Sequence, residues 1–165
     1  MEIFSSMPNN ARTWIYAANR QLSSAEEHAI QAELTDFVQS WTAHERALKA
    51  EAAILYNQFV VIMVDEAHSE ISGCGIDKSV QLIKTINNKY QLDFFNRLAV
   101  QTLTDNQVTT YNKKTLQEAI NAGILTGQTI AFNPLVQHKS DFLSNWLQPL
   151  QQNWISKQIV FLVQA

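Results

Sequence analysis

The sequence predicts an α+β fold: a ferredoxin-like βαββαβ sandwich over residues 1–104, carrying a C-terminal α/β extension over 105–165 in one compact domain. Three observations predict it. Apolar periodicity switches between two and about 3.6 residues in the order strand, helix, hairpin, helix, strand. Apolar residues make up 46% of the 165 and charged residues 16%, enough to bury a sizeable core. No internal repeat, low-complexity stretch or linker divides the chain.

Each element has its own signal. Arg12 to Ala18 is rich in aromatic and β-branched residues and reads as the first strand. Ser24 and Glu27 have capping-box spacing, and the helix that follows sets Ile30, Leu34, Phe37, Val38 and Trp41 on one face. Ala52–Tyr56 and Phe59–Val64 read as a hairpin around Asn57-Gln58, with Asn57 suited to a positive φ. Continuous apolar content in Phe59–Val64 places that strand centrally, covered on both faces. A second helix, about Ile76 to Tyr90, buries Ile76, Val80, Ile83, Ile86 and Tyr90. Leu98–Thr104 is the fourth strand of the sandwich.

In the extension, Asp105-Asn106 marks a turn before a strand at Val108–Tyr111. A helix at Thr115–Ala122 stops at Gly123, and Thr129–Phe132 is a further strand. A helix near Lys139–Trp146 ends at Pro149, and Lys157–Gln164 is a terminal strand.

Composition excludes several classes. Net charge is −3 and the basic residues are scattered, Lys113-Lys114 being the densest pair, so nucleic acid is not an expected partner. The longest apolar run, Phe59 to Val64, is far too short for a membrane span, and Met1 to Asn10 lacks the pattern of a secretion signal. The single cysteine, Cys74, allows no internal disulfide and agrees with a reducing cytoplasm.

The chemistry is concentrated between residues 59 and 79. Val60–Val64 followed by Asp65-Glu66 has the form of a Walker B strand, and Asp65-Glu66-Ala67-His68 spells a helicase box. A nucleotide hydrolase also needs an earlier glycine-rich phosphate loop, and no glycine precedes residue 73. Ser72 to Ser79 can be laid on G-x-x-x-x-G-K-S with Lys78 and Ser79 in place. Ser72 and Asp77 then occupy the two glycine positions, one adding bulk and the other a negative charge where phosphate must approach.

Two softer readings remain. Gly73, Gly75, Lys78 and Ser79 form a candidate anion site where a glycine loop enters a helix, against the alternative that Asp77 caps the helix and Lys78 is solvated. In that site Lys78 pairs with Asp65, Glu66 or a bound anion. Cys74, beside that helix start and near Lys78, is a candidate nucleophile with His68 as base, against the alternative of a small buried apolar residue. Asp65, Glu66, His68 and Glu70 lack a second histidine cluster, His28, His44 and His138 lying far apart, so no metal and no cofactor is expected. Trp14, Trp41, Trp146 and Trp154 read as packing residues.

The segments Ala11–Tyr16, Trp41–His44, Tyr56–Phe59, Ser72–Val80 and Phe132–Val136 resemble a family of small uncharacterised bacterial proteins, over nearly the whole chain. Its members often carry the label "ABC transporter ATPase", which the resemblance implies for this chain. The residues lack both a Walker A loop and the Leu-Ser-Gly-Gly-Gln signature that the label requires. Thr115 to Asn133 also resembles the helix–Gly–strand portion of GYF-like peptide-binding modules. The expected function is a non-catalytic cytoplasmic binding or assembly module. It would take an unknown protein or small-molecule ligand and form a homo-oligomer through exposed sheet surface. The alternatives are a small thiol enzyme or redox sensor centred on Cys74, then nucleotide hydrolysis.

Overall fold

The computed structural model describes residues 2–43, 45–67 and 69–163. They form a mixed α+β structure with antiparallel sheets of three and four strands, a two-stranded ribbon and four α-helices. The chain divides into two units, Met1–Phe95 with Val136–Leu143, and Asn96–Leu135 with Ser144–Ala165. The division falls after Phe95 rather than at residue 104, and the first unit takes back a segment from late in the chain.

The first unit begins with β1 (Arg12–Ala17) and α1 (Ser24–Ser40), followed by the ribbon of β2 (Thr42–Ala43) and β3 (Arg46–Ala47). Then come β4 (Lys49–Leu55), β5 (Phe59–Asp65) and α2 (Gly73–Tyr90). The sheet order is β1-β5-β4, antiparallel throughout. Every residue of β5 is buried, as its unbroken apolar run requires. Val60, Ile62 and Val64 pack with Ile30 and Leu34 of α1 and Ile83 and Ile86 of α2. Phe59, Val61 and Met63, on the other face, are at most 2% exposed.

Apart from the β2–β3 ribbon inserted after α1, these elements run in the order of the first five of the expected βαββαβ unit. The sixth does not follow: Val100–Thr104 pairs in the second sheet. The edge of β1 where a fourth strand would lie is met instead by 136–139. Thr13 N–H donates to Gln137 C=O at 2.8 Å, and Lys139 N–H donates to Ala11 C=O at 2.9 Å. Lys139 Nζ also binds the carbonyls of Phe4 and Met7, at 2.9 and 2.7 Å, and Phe4 meets Phe142 edge-on. A short bridge from late in the chain thus stands where a long strand is expected, while Val100–Thr104 pairs with β7 across its own tight turn.

Helix α1 starts one residue earlier than its spacing predicts. Ser23 is the N-cap and Glu26 closes the capping box. The sequence is degenerate here, since Ser23-Ser24 and Glu26-Glu27 offer the same spacing twice. Arg20 resolves it: its two terminal nitrogens donate to the two oxygens of Glu26, each at 2.9 Å. Burial of Ile30 and Leu34 contributes about 2 kcal/mol each, more than the roughly 1 kcal/mol of the cap.

The Arg20 guanidinium, with the Ser23 N–H behind it, holds the Glu26 carboxyl at about 2, down from 4.5. A folded value below the unfolded one stabilises above pH 4.5 and ceases to do so as pH falls toward 2. Glu26 is partly exposed, which screens the pair, so the contribution at neutral pH is about 1 kcal/mol. Glu26→Gln should therefore lower urea-derived stability by about that amount at pH 7, and the gap should close near pH 2. A gap that stays constant with pH would refute the assignment.

The second unit contains β6 (Val100–Thr104), β7 (Gln107–Tyr111), α3 (Lys113–Asn121), β8 (Ile130–Phe132) and, after α4 (Lys139–Asn145), β9 (Leu147–Pro149). Its sheet order is β7-β6-β8-β9. Asp105 and Asn106 both have positive φ and close the two-residue β6–β7 turn. Gly123, at φ 74°, ends α3 as the sequence indicates. Val100, Leu116, Ile120, Ala131, Leu150 and Ile155 form the core of this unit.

Two expectations are corrected here. Pro149 does not end a helix; α4 stops at Asn145 and Pro149 lies in β9, an edge strand that tolerates the missing N–H. Residues 159–163 form no strand. They follow a 3₁₀ turn (Trp154–Gln158), and the side-chain amide of Gln117 takes both the N–H and C=O of Val160, at 2.8 and 2.7 Å. Gln164 lies outside the described residues.

Candidate functional site

The candidate site is the passage from the end of β5 to the first turns of α2. The register of the sheet decides what its carboxylates do. Lys49 lies opposite Asp65 on β4, and its Nζ is 3.7 Å from Asp65 Oδ2. The other oxygen of Asp65 accepts from Ala67 N–H at 2.9 Å, tightening the turn after the strand. Arg12 lies opposite Val64 on β1, and reaches Glu66 at 3.5 Å while stacking 5.0 Å from the Trp14 ring. Both acidic groups are thus paired across the sheet with cations the sequence did not single out.

The glycine segment is helical rather than a loop. Helix α2 starts at Gly73 and is capped by Ser72, not Asp77; Ser72 Oγ accepts from Gly75 N–H at 3.2 Å. Ser72 precedes three small residues, so the chain turns into the helix at the first available cap, and the glycines cost propensity without stopping it. Cys74 is therefore the second residue of α2, and it is exposed. A Cβ built on Gly73 would meet nothing within 4 Å, so this glycine is not there to admit a close neighbour. Gly75 is buried, and its carbonyl accepts from Trp41 Nε1 at 3.0 Å.

The remaining members of the anion set point elsewhere. Lys78 Nζ donates to Thr42 C=O at 3.3 Å rather than to Asp65 or Glu66. Ser79 is 2% exposed and its hydroxyl donates to Ile76 C=O at 2.7 Å. The structure brings Gly73, Cys74, Gly75, Lys78 and Ser79 onto two turns of one helix, but it does not converge them on a common point. His68, the proposed base, lies outside the described residues. Among the described residues, no three His, Cys, Asp or Glu side chains gather as metal ligands, and no helix is long and apolar enough to cross a membrane.

Sequence reasoning missed Trp41, Arg12 and Lys49 as residues that position this passage. A signal existed for Lys49. A hairpin centred on Asn57 sets residues 49 and 65 opposite each other, whereas a two-residue Asn57-Gln58 turn shifts the pairing by one. No family model, curated protein or solved structure matches the chain.

Proposed function

We propose that this protein is a non-catalytic binding or assembly module of the cytoplasm, acting on another protein chain rather than on a small substrate. The observation that supports it is the engagement of the candidate chemistry in structural bonds. Asp65 and Glu66 are paired across the sheet, Lys78 holds a backbone carbonyl, and Ser79 is turned inward. Nucleotide hydrolysis, the activity the family label implies, needs a carboxylate free for Mg²⁺ and a phosphate cradle. Asp65 would have to leave Lys49 to provide the first.

A second reading keeps one observation in its favour. The Cys74 thiol is exposed in the first turn of α2. In a thiol enzyme or redox sensor, Lys78 would be the activating cation. The two readings differ in what Lys78 does for Cys74. With Lys78 held by Thr42, the alkylation rate of Cys74 at pH 7, read by intact mass, should change by less than about two-fold on Lys78→Ala. A fall of about ten-fold would promote the thiol reading and sink the module.

A further inference from the structure

A strand at the edge of a sheet offers its outward N–H and C=O groups to another chain unless something occupies them. Strand β4 is such an edge, seven residues long and last in the β1-β5-β4 order. From Ala52 to Leu55 it is apolar, with no proline, glycine or charge to discourage a neighbour.

One side chain from α1 takes the middle of this edge. Gln31 Nε2 donates to Ala52 C=O and Gln31 Oε1 accepts from Ile54 N–H, each at 3.1 Å. Both main-chain groups therefore face away from β5, and a neighbouring strand would take the same two. Gln31 Nε2 also donates to Thr35 Oγ1 at 3.2 Å, and that hydroxyl donates to Gln31 C=O at 2.9 Å. The amide is thereby held in one orientation. A primary amide supplies donor and acceptor together, whereas a carboxylate has no donor and an ammonium no acceptor. Nearer the start of the edge, Leu48 N–H donates to the carbonyl of Trp41, the C-cap of α1, at 3.0 Å.

We propose that Gln31 is a lock, an autoinhibitory contact that occupies the β4 edge and keeps a second copy of this chain from extending the first sheet. The strand fits itself. An antiparallel pair centred on Ala52 matches β4 from end to end, with Ala50 opposite Ile54, Glu51 opposite Ala53 and Lys49 opposite Leu55. No charge then stands directly opposite a like charge, whereas parallel in-register pairing would set Lys49 on Lys49 and Glu51 on Glu51. The residues that would exchange bonds, Ala50, Ala52 and Ile54, are the set whose groups turn outward, two of which Gln31 holds. The lock operates whether the protein works as a module or through Cys74.

The test is sedimentation equilibrium of the full chain and its variants from about 10 μM to about 1 mM, with hydrogen exchange of the Ile54 amide read by NMR over the same range. In wild type that amide should be protected at every concentration. Gln31→Ala should speed its exchange by at least about ten-fold at the dilute end, and should self-associate at least about ten-fold more tightly than wild type. As association proceeds, the Ile54 amide should become protected again, now by the second copy. Gln31→Met, of similar size but without the amide, should behave like Gln31→Ala, which separates the hydrogen bonds from the bulk. Adding Ile54→Pro to Gln31→Ala should return the association to its wild-type level, because proline removes the outward N–H and leaves the β5 ladder in place. Where that double variant fails to fold, the protection of Ile54 locates the contact instead. Association of Gln31→Ala no tighter than wild type, association that leaves Ile54 unprotected, or a Gln31→Met protein that stays like wild type would each overturn the proposal.

Discussion

Trp41→Ala is expected to lower the unfolding free energy by about 3–5 kcal/mol, a large part of the roughly 5–15 kcal/mol typical of a domain. Trp41 is 2% exposed, at the C-cap of α1, with its ring 4.9 Å from that of Phe37. Its Nε1 donates to Gly75 C=O, and its own carbonyl accepts from Leu48 N–H at 3.0 Å. One side chain thus ties the end of α1 to the first turn of α2, which carries Cys74. Most of the loss is the cavity; the indole hydrogen bond accounts for about 1 kcal/mol. Trp41→Phe separates the two, keeping much of the packing and losing the bond, with an expected cost of about 1–2 kcal/mol. Urea denaturation of both variants measures this. A Trp41→Ala protein within about 1 kcal/mol of wild type would show that the tie carries little.

The same tie predicts a second readout. If the indole bond restrains the first turn of α2, Trp41→Phe should raise the hydrogen-exchange rate of the Ile76 amide, which donates to Ser72 C=O, because local opening of that turn breaks this bond. A rate unchanged by Trp41→Phe would place the restraint in the Ser72 cap alone.

Local signals in the sequence were legible where one segment decides its own structure. The faces of α1 and α2, the Asp105-Asn106 turn and the Gly123 stop all follow from periodicity or from residues suited to positive φ. What depends on distant partners was not. Val100–Thr104 reads equally well as the last strand of a ferredoxin-like sheet or the inner strand of a second one; its apolar pattern is the same in both. Residues 159–163 have strong strand composition, yet Gln117 satisfies Val160 before any strand can. For the candidate site, the sequence pairs Lys78 with Asp65, Glu66 or an anion, and the structure gives Lys78, Asp65 and Glu66 other partners. Asp65 and Lys78 are close in sequence, but the three-residue Tyr56–Gln58 loop sets the register that gives Asp65 to Lys49.

Asn153→Asp, an isosteric change, is expected to cost the second unit about 3 kcal/mol at pH 8. Asn153 is 1% exposed and joins two parts of that unit. Its Nδ2 donates to Phe132 C=O at 3.0 Å, and its Oδ1 accepts from Ile155 N–H at 3.3 Å, opening the 3₁₀ turn. Aspartate keeps the acceptor and replaces the donor with a negative oxygen facing the Phe132 carbonyl. The variant's carboxyl is pushed above its unfolded value by burial and by that carbonyl. A raised folded value stabilises the protonated form, so the deficit should be smallest at about pH 4 and grow as pH rises through the raised value. Asn153→Ala loses the same donor without placing a charge, and should cost about 1–3 kcal/mol with no such pH dependence. Thermal melts of the two variants at acidic and alkaline pH distinguish them. Equal deficits across pH would mean that the aspartate escapes to solvent, and that the Phe132 carbonyl does not depend on Asn153.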